Sequence, residues 1–215
     1  MRFTAPAIFC ALRTHGEHGA VVRMLTREHG LQAAYVRGAR GRRMRPVLIA
    51  GNLVEAQYSA RSDVQLPQAT VELVHSRAPL FSEPLPTAAI EWATVLTATV
   101  LPEAQPYPML YDALGGLLDA IEAAPAASGW GAALVRYELL LLAELGFGID
   151  FESSSEKAVL PPFLGDGGEA SWGEIGAGLA LTGRSLERDL LTGRAEIIGG
   201  ARDRLVERLR RAGGL

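Results

Sequence analysis

Apolar and polar side chains alternate in several short runs over the first 75 positions of the chain, and residues typical of turns separate these runs. Alternation with a period of two is typical of strands that bury one face. The pattern predicts five strands, at residues 7–12, 20–25, 31–36, 53–59 and 69–73. The turn-like sequence THGEHG between the first two predicts a hairpin. Five short strands favour a small barrel, and the five-stranded OB-type barrel is the natural candidate.

The pattern changes after residue 78, where prolines at positions 79, 84 and 86 lead into a region rich in alanine and leucine. Apolar residues in this region recur with helical spacing. Helices are predicted at residues 87–101, 108–124, 130–147, 172–181, 185–191 and 201–212. We therefore expect an α+β, multidomain protein in which an N-terminal OB-type barrel, residues 1–78, precedes an all-α domain, residues 79–215.

Two charged residues, Arg136 and Glu138, interrupt the apolar run of the most strongly helical segment, residues 130–147. Each must lie on an exposed edge, be paired, or be used in function. A snorkelling or salt-bridged arginine is the usual explanation for such a position. The sequence after this helix, IDFESSSEKAVLPPFLGDGGEAS, has loop composition throughout.

The formal net charge of −3 is distributed unevenly along the chain. Residues 1–78 hold 11 Lys and Arg against 5 Asp and Glu, a charge of +6. Residues 79–215 hold 10 against 19, a charge of −9. Such asymmetry is a recognised hint that one part of a protein binds nucleic acid.

The basic charge is concentrated in the sequence VRGARGRRMR at residues 36–45, which we call the arginine loop. Its guanidinium groups suit phosphate oxygens, and its glycines let the backbone approach a ligand closely, so a flexible phosphate-binding loop is one interpretation. A solvated basic turn is the other. As DNA contacts we consider the loop arginines together with three on neighbouring strands: Arg37, Arg40, Arg42, Arg43, Arg45, Arg13, Arg23 and Arg61. Tyr35 and Tyr58 are candidates for base stacking, or alternatively belong to the barrel core.

Catalysis and metal binding find no support in the residue pattern. Cys10 is the only cysteine, so the chain can form neither an internal disulfide nor a thiolate cluster, and this fits a reducing cytoplasm. His15 and His18 lie in a predicted turn without a suitably spaced third ligand. Neither a GxSxG nor a GxxxxGK[ST] motif occurs. We expect no enzyme activity, no cofactor, no metal and no membrane span.

Several longer stretches share their order with a known family. EHGAVVRMLTREHGL is followed by VRGARGRRMRPVLIAGNLVEA, then by VRYELLLLAELGFGIDF and by LTGRSLERDLL. Together, over about residues 7–209, they resemble the RecO family of bacterial recombination-mediator and DNA-repair proteins. The resemblance implies an N-terminal OB-fold, a helical C-terminal domain, binding of single- and double-stranded DNA, and annealing of complementary strands in the RecF pathway. It further implies partnership with RecR and single-stranded-DNA-binding protein in loading RecA, in the cytoplasm at the nucleoid.

The resemblance also gives Arg136 an expected role. It matches the arginine of the family's RFELALLAELG-like helix, where the acidic, apolar C-terminal tail of single-stranded-DNA-binding protein would dock. Arginine suits the carboxylates of such a tail, and leucines such as Leu140 could line a groove for its apolar end. Many members carry a cysteine-containing, zinc-finger-like insert after this helix. Residues 152–169 stand in its place here, as a shortened loop that cannot form that site.

Two other classes of function remain open at the level of the sequence. The chain could be an adaptor whose acidic helical half recruits proteins, with incidental DNA affinity. It could also be an unrecognised hydrolase, because scattered carboxylates cannot be paired across a cleft from the sequence alone.

Overall fold

A computed structural model of the chain describes residues 2–62, 65–124, 126–148, 170–194, 198 and 200–213. The five strands are β1 Arg2–His15, β2 Gly19–Thr26, β3 Gly30–Val36, β4 Leu53–Ser59 and β5 Gln68–His75. The helices are α1 Pro84–Val100, α2 Pro108–Ala123, α3 Gly131–Glu144, α4 Trp172–Asp189 and α5 Ala201–Gly213, with short 3-10 turns at Ala78–Ser82 and Ala127–Gly129. The predicted α+β class, with strands first and helices afterwards, is confirmed.

The five strands form a closed barrel in the order β1-β2-β3-β5-β4, the order of an OB-type barrel. All pairings are antiparallel except the short parallel contact of β3 with β5, at Tyr35 and Gln68. Strand β1 is longer than predicted because it pairs with β2 along one edge and with β4 along the other, with a register shift between Phe9 and Ala11. The barrel interior is filled by alternate residues, which include Ala7, Phe9, Val22, Met24, Ala34, Val54, Ala56, Tyr58 and Val71.

Contacts divide the chain into two compact units. The barrel unit comprises residues 1–83 together with 94–111, and the helical unit comprises residues 84–93 together with 112–215. Within the barrel unit, Glu103 forms a β-bridge with Leu31 and an ion pair of 2.7 Å with Arg23. The barrel unit therefore includes a segment from beyond the prolines, and a domain division between residues 78 and 79 stays a proposal.

A buried polar cluster lies within the helical unit around Glu138 of α3, which has no exposed surface. Its carboxylate accepts hydrogen bonds from Trp92 Nε1, at 2.7 Å, and from the Thr182 hydroxyl. Arg202 of α5 completes the cluster, with Nη2 3.5 Å from the carboxylate. Of the three alternatives for Glu138, pairing is the one that the structure shows.

Helix α4 corrects one sequence prediction. Residues 172–181 and 185–191 were expected to form two helices, but Trp172–Asp189 is a single helix. A capping box starts it, in which Ser171 Oγ accepts from Glu174 N and the Glu174 carboxylate accepts from Ser171 N. The helix continues through Gly183 because tertiary contacts outweigh a low helix propensity. A Cβ at Gly183 would lie 2.5 Å from the Arg202 guanidinium, so only glycine fits there without a shift. Residues 152–169, predicted to be a shortened loop, lie outside the described residues.

Candidate nucleic-acid interface

The arginine loop connects β3 to β4 as a series of hydrogen-bonded turns. Gly41 N donates to Gly38 O at 2.9 Å, Met44 N donates to Gly41 O at 3.1 Å, and Leu48 N donates to Met44 O at 3.0 Å. Gly38 has a φ of 70°, in the left-handed region that favours glycine, and so permits the first turn. The loop therefore has a defined backbone path on the barrel.

Apolar side chains hold this loop against the barrel. Ala39 is 4% exposed and belongs to the barrel core, while Met44, Val47 and Leu48 pack against that core. Buried Asn52 fixes the end of the connection by donating through Nδ2 to Pro46 O and Val47 O, at 2.9 and 3.0 Å. Because the apolar residues face inward, all the arginines of the loop are exposed: Arg37, Arg40, Arg42, Arg43 and Arg45.

The predicted arginines outside the loop lie in different surroundings. Arg13 is exposed on β1, and Arg61 is exposed in the bend that follows β4 rather than on a strand. Arg23 is half-buried, and it donates to Ala98 O at 2.6 Å and to Glu103 Oε1 at 2.7 Å. Arg40 Nη1 donates to Glu17 O at 3.1 Å. Arg23 thus binds residues of its own chain, and its role as a DNA contact stays a prediction.

A first cleft of about 540 Å³ lies beside the arginine loop, and we call it the loop cleft. Its polar lining comes from β3, β4, β5 and the loop itself: Tyr35, Arg37, Arg43, Ser59, Gln68, Thr70 and Glu72. The structure therefore places two loop arginines and one predicted stacking residue together. The ring of Tyr35 is half-buried and meets His15 edge-on, with 6.0 Å between ring centroids.

Tyr58, the other predicted stacking residue, lies in the barrel interior with no exposed surface. Its ring stacks on Phe3 with 4.6 Å between centroids. Burial raises the pKa of its hydroxyl above the ordinary value for tyrosine. A base cannot reach this ring, so the stacking interpretation of Tyr58 is wrong and its alternative, barrel core, is confirmed.

A second cleft of about 460 Å³ lies at the connection between β4 and β5, and we call it the connection cleft. Arg2, Ser59, Arg61, Gln65 and Gln68 line it. Arg2 was not predicted as a site residue, because the first strand was expected to begin at residue 7. Its pairing partner on β4, Ser59, is 57 positions away, and no local pattern indicates such a register.

Arg136 and Leu140 lie one helical turn apart on α3, and both are half-buried. The opposite face of α3 is buried and includes Leu134, Glu138 and Leu141. The structure therefore brings the two predicted partner-binding residues together as one strip, which we call the α3 strip.

The described part of the chain contains one cysteine and limited metal-binding potential. Burial raises the pKa of the Cys10 thiol to about 12, so the thiol stays protonated at neutral pH. Across the described residues, no three His, Cys, Asp or Glu side chains come together as metal ligands. Among the helices that the structure describes, none is both long enough and apolar enough to cross a membrane.

Comparison with known proteins agrees with this architecture. Residues 1–77 match the family described as "Recombination protein O N terminal", and residues 84–159 match "Recombination protein O C terminal". A protein of Rhodospirillum centenum named "DNA repair protein RecO" is 36% identical, over 99% of this chain and 96% of its own length. A protein with the same name from Phenylobacterium zucineum is 35% identical, over 100% of this chain and 100% of its own length. Another from Rhodospirillum rubrum is 37% identical, over 95% of this chain and 94% of its own length.

Proposed function

Because the chain belongs to the RecO family of DNA repair proteins, we propose that it binds single- and double-stranded DNA and anneals complementary strands. We further propose that it helps to load RecA, together with RecR and single-stranded-DNA-binding protein, in the cytoplasm at the nucleoid. Residues 1–78 would act as the DNA-binding domain and residues 79–215 as the partner-binding domain. No covalent step is needed for this role, so the protein would act without catalysis, metal or cofactor.

The arginine loop is the observation that supports DNA binding best. The loop presents five exposed guanidinium groups. Ala39, which is buried, and Met44, which is half-buried, hold the loop against the barrel. Permanent charges presented in this way bind phosphates without reading base edges. Neutralising the phosphates of two strands reduces their mutual repulsion, and this effect promotes annealing of any complementary pair.

The first prediction concerns the dependence of this binding on salt. If all five loop arginines meet single-strand phosphates, the logarithm of affinity falls against the logarithm of salt concentration with a slope of about −3.5, from ~0.7 per contact. A variant with alanine at Arg37, Arg40, Arg42, Arg43 and Arg45 should lose most of this slope. It should also lose annealing of complementary oligonucleotides measured without nucleotide or metal.

The matched control for this variant is the pair Arg188→Ala and Arg211→Ala. These two arginines are exposed in the helical unit and pair with carboxylates of their own helix, Asp189 and Glu207. Their replacement should leave both slope and annealing rate unchanged. A wild-type slope near zero, or an unchanged slope in the five-alanine variant, would reject the loop as the DNA contact.

The α3 strip supports a second activity, the docking of an acidic peptide. Arg136 supplies a permanent cation and Leu140, one turn further on, supplies an apolar contact. A peptide that ends in carboxylates and a bulky apolar residue matches this combination. The C-terminal tail of single-stranded-DNA-binding protein has this chemistry in the family that the sequence resembles.

The second prediction tests this strip by titration with such a tail peptide. Arg136→Ala removes a charge-assisted hydrogen bond, for which a loss of ~1.5–3 kcal/mol is typical, so affinity should fall at least tenfold. Leu140→Ala should weaken binding less. Arg210→Ala is the control, because Arg210 is exposed on a different helix. Full tail affinity in the Arg136 variant would remove the α3 strip from the site. If tail binding persists while DNA binding proves absent, the adaptor function would replace the proposal above.

A further inference from the structure

The loop cleft and the connection cleft adjoin each other, because Ser59 and Gln68 line both. The strand register explains this continuity. Arg2 on β1 pairs with Ser59 on β4, Ser59 pairs with Gln68 on β5, and Gln68 pairs with Tyr35 on β3. The four residues therefore form one row across the outside of the barrel.

This row is long enough to seat a short piece of single-stranded nucleic acid. Neighbouring strands lie ~4.8 Å apart, so three steps from Arg2 to Tyr35 span roughly 14 Å. Arginines line the clefts at both ends of the row: Arg61 lines the connection cleft together with Arg2, and Arg37 and Arg43 line the loop cleft together with Tyr35. Sites of about 4–16 nucleotides are usual for one OB barrel.

The arginines at the two ends of the row favour the binding of a polyanion along it. Ser59 and Gln68 are exposed and uncharged, so they can donate hydrogen bonds to phosphate or base between the two cationic ends. Four residue pairs further along the same strands, Glu55 of β4 pairs with Glu72 of β5. These neighbouring carboxylates would repel phosphate and limit the groove on that side.

The face that OB barrels commonly use, over the second and third strands, is occupied here by the protein's own chain. Arg23 of β2 binds Ala98 O and Glu103, and Leu31 of β3 accepts from Ala104 N at 2.9 Å and bridges to Glu103. A single strand laid over this part of β2 and β3 would have to displace those contacts.

We propose that single-stranded DNA runs through the two adjoining clefts, along the row from Arg2 and Arg61 to Tyr35, Arg37 and Arg43, instead of across β2 and β3. This inference rests on the proposed DNA binding and adds its path. It assigns phosphate contacts to Arg2 and Arg61 at one end, and it removes Arg13 and Arg23 from the interface.

The test compares full-length variants by titration with a fluorescent oligothymidylate over a range of salt concentrations. Arg2→Ala combined with Arg61→Ala should reduce the salt slope by about 1.4, from ~0.7 per contact, and weaken binding on the order of 25-fold near 0.1 M salt. Arg13→Ala should bind within about twofold of wild type, because Arg13 is also exposed on the barrel but is not among the residues that line the two clefts.

Glu72→Gln provides a gain of binding that misfolding cannot imitate. Removing a carboxylate from the lining of the loop cleft should raise affinity severalfold, most strongly at low salt. Three outcomes would overturn the path. Wild-type protein that binds no single-stranded DNA would reject the proposed function and the path together. If the wild type binds and the double variant binds with the same affinity, the path alone is rejected. The path alone is also rejected if Arg13→Ala weakens binding more than the double variant does.

Discussion

At the scale of single residues, the buried carboxylate of Glu138 has the largest structural consequence. Taking a carboxylate out of water is costly unless donors surround it. Here the indole N–H of Trp92, the hydroxyl of Thr182 and the guanidinium of Arg202 all meet it. Arg202 also stands over the Trp92 ring, 5.7 Å from its centroid. One acidic residue therefore connects α1, α3, α4 and α5.

The third prediction is that Glu138→Ala destabilises the protein by roughly 3–5 kcal/mol, because it leaves the largely buried charge of Arg202 without its counter-ion. Glu138→Gln keeps the shape and an acceptor oxygen and should cost less. Glu144→Gln serves as the control, since Glu144 is exposed at the end of the same helix. Urea unfolding followed by tryptophan fluorescence measures all three. Equal unfolding midpoints for Glu138→Ala and Glu144→Gln would show that the cluster does not stabilise the fold.

At the scale of elements, two glycines with the same backbone conformation allow a matched comparison. Gly30, where β3 begins, and Gly38, in the arginine loop, both have a φ of 70°. A Cβ at Gly30 would lie 1.9 Å from the backbone oxygen of Gln105, whereas a Cβ at Gly38 would meet nothing within 4 Å. An alanine would therefore meet the same backbone strain at both sites, but a steric conflict only at Gly30.

The fourth prediction follows from this difference. Gly38→Ala should cost about 1–2 kcal/mol, the usual cost of a left-handed conformation with a Cβ. Gly30→Ala should cost several kcal/mol more, because it pushes the start of β3 away from the segment that carries Gln105. Chemical unfolding of both variants gives the difference directly. A smaller loss at Gly30 than at Gly38 would contradict the close packing of that segment.

The elements themselves were largely predictable because their signals are local. Alternation placed all five strands, and helical spacing with proline placed α1, α2, α3 and α5 to within a few residues. The start of β1 was missed because residues 2–6 include Pro6 and show little strand character; cross-strand pairing with β4 orders them. Two helices were predicted where α4 is continuous; within it, Thr182 donates to the buried carboxylate of Glu138 and Gly183 lies close to the guanidinium of Arg202.

Only the part of the candidate site that lies within one continuous segment, the arginine loop, was predictable from the sequence. Five arginines within ten residues are visible in any reading of the sequence, and the structure exposes all of them. The groove beside them depends on the register that joins Arg2, Ser59 and Gln68 across three strands. The engagement of Arg23 depends on Glu103, which lies 80 positions away. Long-range pairing of this kind leaves no periodic trace in the sequence.

At the scale of the whole molecule, the two units differ in charge as the sequence halves do. The barrel unit holds 11 Lys and Arg against 7 Asp and Glu, and the helical unit holds 10 against 17. A polyanion would thus be attracted to one unit and repelled by the other. This separation supports assigning DNA to the barrel and leaving protein partners to the helices.

The fifth prediction concerns how much of the chain the barrel needs. Residues 94–111 belong to the barrel unit, and Ala104 holds a φ of 59°, uncommon for alanine, where its N–H donates to Leu31 O. Such a conformation persists only where surrounding contacts maintain it. A fragment of residues 1–83 should therefore unfold at a lower temperature than a fragment of residues 1–111. Circular dichroism recorded during heating gives the midpoint of each fragment. Glu103→Ala in the longer fragment should give an intermediate midpoint, because it removes the partner of Arg23 and keeps the backbone contact. Equal midpoints for the two fragments would show that the barrel is complete at residue 83.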